Sequence, residues 1–246
     1  LIVKNYEYKW ESLEEVYNKY DDKYGFHKWT EYSKHYDKHI QHIRLNAIKE
    51  VRKVNILEIG VQSGGSTRAW KRYFGPLLNY VGIDINPNCK EVEEENIHIE
   101  IGSQLDSFFL MSICVKYGPF DLIVDDGGHT TEMIIASLEI LWTCMKHDSV
   151  YIIEDTHSMS MWTQPHRESE MIIDGKDIFG YLADISRNMI VYFREKEGTM
   201  IRRESWMDSF SKHISEIAIY DSLIFIHYNQ YPKMLTHLKK GTIWIS

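Results

Sequence analysis

The sequence predicts an α/β protein with a doubly wound, mostly parallel sheet of seven strands and a C-terminal antiparallel hairpin. Short apolar runs such as VNILEIG, NYVGIDI and FDLIVDD alternate along the chain with segments of helical period. This alternation is typical of β-α-β units, whose right-handed crossovers place helices on both faces of a parallel sheet. Near the end of the chain, two β-rich runs joined by a tight turn predict the antiparallel pair.

The elements are predicted in a regular order from residue 54 onward. Ser66 marks the start of the first helix, and Thr130 or Thr131 marks the start of the third. The five parallel strands are predicted at VNILEIG, NYVGIDI, IHIEIG, FDLIVDD and SVYIIED, and the helices between them at STRAWKRYF, DSFFLMSICVKYG and TEMIIASLEILWTCMKH. An irregular loop at 156–176 is followed by a helix, DIFGYLADISRNMIVYF, and by the hairpin, ISEIAIYDSLIFIHYN.

Residues 1–50 are predicted to form an N-terminal helical segment that packs on a core domain comprising residues 51–246. Ser12 and Glu15 have the spacing of a capping box, which indicates a helix start. Three histidines recur at intervals of four and three residues on the second helix of this segment. We expect them on a partly exposed helical face rather than at a metal. They are His35, His39 and His42.

The composition indicates a globular protein that buries an ordinary core, with 43% hydrophobic residues. A net charge of −8 excludes a general electrostatic attraction to nucleic acid or to an anionic membrane. No run approaches the ~20 apolar residues of a membrane span, and no signal peptide is recognisable. The three cysteines are widely spaced and predict no disulfide framework, which favours a reducing, cytoplasmic setting.

A glycine-rich turn, LEIGVQSGGST, joins the first predicted strand to the first helix. It lacks the Gly-Lys-Ser/Thr of a P-loop and the spacing of G-x-G-x-x-G. Asp84 ends the second strand, where a carboxylate can accept hydrogen bonds from both ribose hydroxyls. Glu58 argues against a pyrophosphate ligand, because the phosphates would meet a carboxylate. The turn therefore predicts a nucleoside-type cofactor, with another kind of nucleotide-binding fold as the alternative.

Acidic residues follow two neighbouring predicted strands. The fourth strand ends in Asp125 and Asp126, with His129 close behind, and the fifth ends in Glu154 and Asp155. The carboxyl ends of adjacent parallel strands share one edge of the sheet, so these carboxylates would crowd together and repel one another. A divalent cation relieves the repulsion, and oxygen donors favour Mg²⁺, Mn²⁺ or Ca²⁺. The alternative is that the acids cap turns or pair with arginine.

These motifs resemble those of the class I S-adenosylmethionine-dependent methyltransferases. The pattern E-I-G-x-x-x-G-G followed by G-I-D is similar to their cofactor motif. IVDDGGHT with YIIEDTH is similar to the metal-dependent O-methyltransferases of macrolide sugars, in the wider group that includes cephalosporin-hydroxylase-like proteins. The resemblance covers residues 54 to about 155, with a looser match at Lys23, Gly25 and His27. It implies a Rossmann-like methyltransferase fold, and because related sugar methyltransferases often assemble, it also implies a homo-oligomer.

The resemblance also implies a role for individual residues. Asp126, Glu154 and Asp155 would bind Mg²⁺, or Mn²⁺ or Ca²⁺ in its place, and His129 would be the general base, so that Asp126 and His129 are the catalytic pair. Gly128 stands where the family often has serine. Asp106 has a second interpretation, as the cap of the following helix. The residues expected to bind S-adenosylmethionine are Glu58, Gly60, Gly64, Ser66, Asp84, Gln104, Asp106 and Asp125.

The predicted activity is the transfer of a methyl group from S-adenosylmethionine to a hydroxyl of a sugar, in a glycan, a nucleotide sugar or a glycosylated natural product. Chelation of two neighbouring oxygens by the cation would lower the pKa of the hydroxyl, and a histidine can take its proton. The loop after the fifth strand is expected to form the acceptor wall. The acceptor contacts expected there are His157, Trp162, Gln164, His166 and Arg167.

Two other classes of function stay open. One is a catechol or vicinal-diol O-methyltransferase, which usually completes its metal set with asparagine, whereas this chain has the pair Glu154 and Asp155. The other is a cephalosporin-hydroxylase-like protein without methyl transfer, or a binding module without catalysis. Binding of S-adenosylmethionine separates these classes.

Overall fold

The computed structural model describes residues 9–158, 176–190, 194–196, 199–201 and 210–231. The α-helices are α1 Leu13–Asn18, α2 Tyr32–Glu50, α3 Gly65–Phe74, α4 Ser107–Tyr117, α5 Thr131–Leu141 and α6 Ile178–Ile190. The strands are β1 Val54–Ile59, β2 Leu78–Asp84, β3 Ile97–Ile101, β4 Phe120–Asp125, β5 Met145–Glu154, β6 Arg194–Lys196, β7 Thr199–Ile201, β8 Ile214–Tyr220 and β9 Leu223–Tyr228. Short 3₁₀ turns lie at Gly75–Leu77, Pro87–Val92 and Trp142–Cys144.

Seven strands form one sheet in the order β3-β2-β1-β4-β5-β9-β8, and β6 pairs with β7 separately. Strands β1 to β5 are parallel, while β9 lies antiparallel to both β5 and β8. The predicted doubly wound sheet and its C-terminal antiparallel hairpin are therefore confirmed. The strand order reverses between β1 and β4, which creates the crevice where open α/β sheets bind their ligands.

Two hydrophobic clusters cover the two faces of the sheet. Alternate residues of each strand point to opposite faces, so that Ile56 packs with helices α1, α2 and α3, while Leu57 packs with α4, α5 and α6. Both side chains are fully buried. Among the helices in the described ranges, none combines the length and the apolar character needed to cross a bilayer.

The predicted helix boundaries are partly wrong. Helix α1 does begin with the capping box of Ser12 and Glu15, and Thr130 does cap α5 through its side-chain oxygen. However, α3 begins at Gly65 behind Gly64, and the Ser66 hydroxyl donates to Glu58 instead of capping. The third predicted helix is too long, because α5 ends at residue 141 and residues 145–147 already belong to β5.

The cysteines contradict the expectation from their spacing. Cys114 on α4 and Cys144 in the turn before β5 form a disulfide, with Cα atoms 5.6 Å apart. Cys89, the third cysteine of the chain, is free and buried. The two partners are separated by 30 positions along the chain. Only the packing of α4 beside the start of β5 brings them together, which is why their spacing did not predict the bond.

Candidate functional site

The candidate site lies at the carboxyl ends of β1, β4 and β5. The loops that follow β1 and β4 are pressed together there, with the Asp126 amide donating to the Ile59 carbonyl at 3.0 Å. Gly60 has a φ of +88°, and a Cβ at this position would lie 2.1 Å from the Asp126 carbonyl oxygen. Only glycine fits this contact and this left-handed conformation. The glycine-rich turn therefore positions the acidic loop as well as the cleft in front of it.

A cleft of about 160 Å³ runs along this edge over β1, β2 and the loop after β3. Three of the predicted cofactor residues line it, namely Gly60, Asp84 and Gln104. Its remaining lining residues are Ile59, Ile83, Ile85, Gly102, Ser103, Gly127, Gly128 and Met133.

Asp84 holds the glycine-rich turn in place. Its Oδ2 accepts hydrogen bonds from the amides of Val61 and Gln62 at 2.9 and 3.0 Å, and its Oδ1 accepts one from the Asn86 amide at 2.8 Å. Burial alone would raise the pKa of Asp84, but these backbone donors lower it below the ordinary value. The carboxylate is therefore ionised and fixed at the floor of the cleft.

Glu58 and Ser66 lie beneath the glycine-rich turn rather than in the cleft. The Glu58 carboxylate accepts hydrogen bonds from the Ser66 hydroxyl at 2.9 Å, from the Tyr80 hydroxyl at 2.5 Å and from Trp70 Nε1 at 3.4 Å. It is fully buried, and burial raises its pKa. Gly64, with a φ of +80°, packs against Val92 and caps α3. In this arrangement the three residues shape the turn from below.

Asp125 and Gln104 form a buried polar pair behind the cleft. Asp125 accepts hydrogen bonds from the Ser137 hydroxyl at 2.5 Å and from Gln104 Nε2 and the Tyr151 hydroxyl at 3.2 Å each. Burial raises the pKa of Asp125 to about 6. Gln104 Oε1 in turn accepts from the Gly128 amide at 2.8 Å, which anchors the loop after β4.

Asp106 caps helix α4. Its Oδ1 accepts hydrogen bonds from the amides of Phe108 and Phe109 at 3.0 and 3.1 Å. The capping interpretation of this residue is therefore confirmed. Asp106 is not among the described residues that line the cleft.

Asp126, His129 and Asp155 form an acidic cluster at the same edge. One ligand atom from each of the three lies within 4.8 Å of the others. His129 Nε2 is 3.9 Å from Asp126 Oδ1. His129 and Asp155 have φ values of +55° and +54°, which are uncommon for residues with a Cβ. Strained backbone of this kind is concentrated at functional sites, where surrounding contacts hold it.

Lys28 is a site residue that the sequence analysis missed. Its Nζ lies 2.5 Å from Asp126 Oδ2 and 2.7 Å from Glu154 Oε2, and its side chain is only 6% exposed. Burial alone would lower the pKa of Lys28, but the two carboxylates raise it well above the ordinary value. Burial, and then the Asp126 charge, raise the pKa of Glu154, and the Lys28 ammonium opposes both effects. Lys28 thus holds two of the three predicted metal ligands.

Two tyrosines of helix α2 donate hydrogen bonds to acids at this edge. Tyr36 is fully buried and its hydroxyl donates to Glu154 Oε1. The Tyr32 hydroxyl donates to Asp155 Oδ1 at 2.7 Å and lies 3.0 Å from the Ser222 carbonyl oxygen. No local signal in the sequence assigned either hydroxyl to an acid more than 100 positions away.

A second cleft, of about 310 Å³, opens over the acidic cluster. It shares Gly60, Asp84 and Gly127 with the first cleft, so the two clefts are adjacent. Its other lining residues are His27, Lys28, Trp29, Gln62, Asn86, Asp126, His129 and Asp155.

Of the predicted acceptor contacts, only His157 lies in the described ranges. Its Nδ1 is 3.9 Å from Asp155 Oδ1, and its ring packs edge-on against Trp29 with centroids 5.6 Å apart. Trp162, Gln164, His166 and Arg167 lie outside the described residues.

Comparison with known proteins gives two kinds of match. The chain is 33% identical to demethylmacrocin O-methyltransferase of Streptomyces fradiae and 35% identical to mycinamicin VI 2''-O-methyltransferase of Micromonospora griseorubida, each over 159 residues. The MycE methyltransferase from the mycinamycin biosynthetic pathway, in complex with Mg, SAH and mycinamycin VI, matches 90% of this chain with a TM-score of 0.68 and 26% identity. No model of a protein family matches the chain.

The chain is shorter than these relatives. It spans 36% of the length of both curated enzymes and 55% of the MycE chain. Within that span, the sequence matches confirm the motif resemblance, and the structural match confirms the predicted fold class. The chain is therefore similar in sequence to the O-methyltransferases of macrolide sugars and has the class I methyltransferase fold.

Proposed function

We propose that the chain carries the catalytic domain of a metal-dependent O-methyltransferase, which moves a methyl group from S-adenosylmethionine to a hydroxyl of a sugar-containing acceptor. The adjacency of the two clefts carries this proposal. Gly60, Asp84 and Gly127 line both of them, and the second cleft is also lined by Asp126, His129 and Asp155. A methyl donor in one cleft would therefore face a hydroxyl held in the other. The names of the similar proteins point to the same reaction.

The first cleft suits the cofactor in its chemistry. Ile59, Ile83 and Ile85 offer apolar walls for a flat ring, and the ionised Asp84 offers an acceptor for ribose hydroxyls. Gln104 lies where it can reach a base edge. We keep Glu58, Gly64, Ser66 and Asp125 in the cofactor site as residues that shape the turns around the ligand.

The acidic cluster fits a hard divalent cation, because Asp126 and Asp155 present carboxylate oxygens side by side. Glu154 would be the third carboxylate ligand once Lys28 moves away from it. Until then, the Lys28 ammonium neutralises the charges that the cation would neutralise. When bound, the cation would lower the pKa of a chelated sugar hydroxyl and orient it.

His129 is the proposed general base. It lines the second cleft, and its Nε2 lies 3.9 Å from Asp126 Oδ1. In the proposed step, the acceptor oxygen forms a bond to the methyl carbon as the bond from sulfur to that carbon breaks. The hydroxyl proton passes to His129, and S-adenosylhomocysteine leaves. Much of the rate would come from holding donor and acceptor in line.

The acceptor wall is proposed to include His157 and Trp29, which lie beside the cluster. Trp29 is 54% exposed, so its ring offers a flat apolar face of the kind on which sugars stack. Trp162, Gln164, His166 and Arg167 remain predicted acceptor contacts of the loop that follows.

One experiment tests the activity and its alternatives. The chain is incubated with methyl-labelled S-adenosylmethionine, with or without Mg²⁺, and with glycans, nucleotide sugars, glycosylated macrolides or catechols. We expect Mg²⁺-dependent label on a sugar. Label on catechol alone would favour the diol enzyme. An absence of calorimetric binding of S-adenosylmethionine would favour the cephalosporin-hydroxylase-like protein or a binding module.

A homo-oligomer is part of the proposal. Helix α4 exposes a row of apolar side chains, with Phe108 83% exposed, Met111 55% and Val115 88%. Apolar patches of this kind commonly mark protein interfaces, and we assign this one to a second copy of the chain. Analytical ultracentrifugation should find a dimer or larger assembly that Val115→Glu dissociates. A monomeric wild-type chain would contradict this assignment.

We also propose a cytoplasmic location, because the methyl donor is an intracellular metabolite. The disulfide between Cys114 and Cys144 is unusual for a reducing compartment. Cell fractionation followed by immunoblotting should find the protein in the cytoplasmic fraction, and recovery only from an oxidising compartment or the medium would contradict this location.

A further inference from the structure

A second group of potential metal ligands lies where α2 packs on the C-terminal hairpin, away from the acidic cluster. His39 of α2 is 4% exposed, and its Nδ1 lies 2.8 Å from Nε2 of His227 on β9. Glu216 of β8 is the cross-strand partner of His227, on the same face of the sheet. One ligand atom from each of the three lies within 4.8 Å of the others.

The two imidazoles present the electronic state that a metal requires. A ligating histidine must be neutral, because its lone pair makes the bond. Burial, reinforced by the neighbouring His227, lowers the pKa of His39 to about 4. Burial lowers the pKa of His227 as well. Two neutral imidazoles and one carboxylate are the ligand set of many open zinc sites.

A hydrogen bond and an aromatic contact fix the orientation of the His39 ring, as neighbouring residues do for a histidine that binds a metal. The other ring nitrogen, Nε2, lies 2.8 Å from the Tyr220 hydroxyl, which also accepts from Lys38 at 2.8 Å. The ring stacks on Phe225 with centroids 4.3 Å apart. Metal-bound histidines almost always use their second nitrogen in this way. The contacts direct Nδ1 toward His227.

We propose that His39, His227 and Glu216 form a second metal site, which binds a borderline divalent cation such as Zn²⁺ and joins α2 to the terminal hairpin. Imidazole ligands favour such cations over Mg²⁺, so this site and the acidic cluster select different metals. Helix α2 also carries Tyr32 and Tyr36, which hold Asp155 and Glu154. The second cation therefore stabilises the helix that supports the acidic cluster. This inference is independent of the proposed methyl transfer.

Cobalt titration tests the site, because Co²⁺ replaces Zn²⁺ and its visible absorption reports nitrogen ligands. We expect the wild-type chain, with excess Mg²⁺ present, to bind Co²⁺ with such a spectrum and to release it to Zn²⁺. His227→Gln and Glu216→Gln should weaken binding by more than the ~10- to 100-fold that loss of an outer-shell partner costs. The matched control, His98→Gln, changes an exposed histidine on β3 at the opposite edge of the sheet and should bind as the wild type does.

Three further measurements separate the site from its alternatives. Tyr220→Phe removes the hydroxyl that pairs with His39, and with it the acceptor of the exposed Lys38, and should weaken Co²⁺ binding by ~10-fold or more. Asp155→Asn should leave the Co²⁺ spectrum unchanged, which distinguishes this site from the acidic cluster. Zn²⁺ should raise the melting temperature of the wild type and not that of His227→Gln. If the His227→Gln spectrum and affinity equal those of the wild type, the two histidines share only a hydrogen bond and the proposal is overturned.

Discussion

Lys28 is the residue that most changes the interpretation of the acidic edge. Its ammonium lies within 2.7 Å of one oxygen each of Asp126 and Glu154, almost fully buried. A buried charge is tolerated only when it is paired and hydrogen-bonded. The lysine therefore acts as a tethered counter-ion, which keeps the acids together and which the proposed divalent cation would displace from Glu154.

Lys28→Met tests this competition. Removal of one partner from a buried ion pair costs about 3–5 kcal/mol, so the free energy of unfolding without metal should fall by that order. Mg²⁺ should restore more stability to the variant than to the wild type, because the vacated carboxylates bind it more tightly. Urea denaturation with and without Mg²⁺ measures both effects. Lys34→Met, at an exposed position of α2, is the control. An equal loss in both metal conditions would contradict the competition.

His129 supports a more specific prediction about chemistry. Replacement by alanine should lower the turnover number by ~10²-fold or more, because general base catalysis contributes that much. In the wild type the rate should rise with increasing pH as the proton acceptor loses its proton, and this rise should flatten in His129→Ala. His157→Ala provides the comparison, since His157 lies beside Asp155 but is proposed only to contact the acceptor. A pH–rate profile unchanged in His129→Ala would remove this residue as the base.

At the scale of elements, the N-terminal segment contributes side chains to the candidate site. The Tyr32 hydroxyl of α2 donates to Asp155, and the Tyr36 hydroxyl donates to Glu154. The loop before α2 contains Lys28, which pairs with Glu154. The segment is itself tied to α3 by Glu11, which accepts from Arg72 Nε at 2.6 Å and from Lys19 Nζ at 2.9 Å. Loss of that tie should loosen the support of the acidic edge.

The tie at Glu11 predicts a pH dependence of stability. Hydrogen bonds from Arg72, and then from Lys19, lower the pKa of Glu11 from 4.5 to about 2. The unfolded chain takes up this proton near pH 4.5, whereas the folded chain does so only near pH 2. The stabilisation is therefore complete above pH 4.5 and is lost as the pH falls toward 2.

Denaturation of Glu11→Gln measures this contribution. The difference in the free energy of unfolding between the wild type and the variant should be largest at neutral pH and should shrink below pH 4.5. Glu14→Gln, at the exposed neighbouring acid, should follow the wild-type curve. A difference that stays constant from pH 6 to pH 3 would show that the ion pair does not stabilise the fold.

At the scale of the molecule, the proposed reaction uses two adjacent clefts, one for the methyl donor and one for the acceptor. The cofactor cleft is built on β1, β2 and the loop after β3, while the acidic cluster is built on β4, β5 and α2. Because Gly60, Asp84 and Gly127 are the lining residues that the two clefts share within the described part of the chain, a change deep in one should leave ligand binding in the other largely intact.

Asp126→Asn tests that division. The variant should lose metal-stimulated turnover, while calorimetry should find the affinity for S-adenosylmethionine within about threefold of the wild type, a change below 1 kcal/mol. Ile85→Ala is the reciprocal variant, because Ile85 lines the first cleft and not the second; it should weaken cofactor binding and leave Mg²⁺ binding in place. Activity that survives in Asp126→Asn and in EDTA would exclude the metal from the reaction.

Local patterns in the sequence were sufficient for the strands, their alternation with helices, the terminal hairpin and the acids at the strand ends. These features depend on residues close together in the chain, through apolar periodicity and turn chemistry. The same patterns placed Asp84 and the Asp126–His129 motif at the correct edge, because parallel strands must end together. Element boundaries were less secure, as Ser66 shows by bonding Glu58 instead of capping α3.

The partners of the site residues depended on tertiary packing alone. Lys28 meets Glu154, Cys114 meets Cys144, and His39 meets His227 across separations of 126, 30 and 188 positions. No local periodicity encodes such pairs, since each forms only when two finished elements pack. The chain by itself thus specified the sheet and the edge where its acids gather. Packing then selected the counter-ion, the tyrosines and the histidine pair, because buried charge and buried hydrogen-bonding groups must find partners wherever the fold brings them.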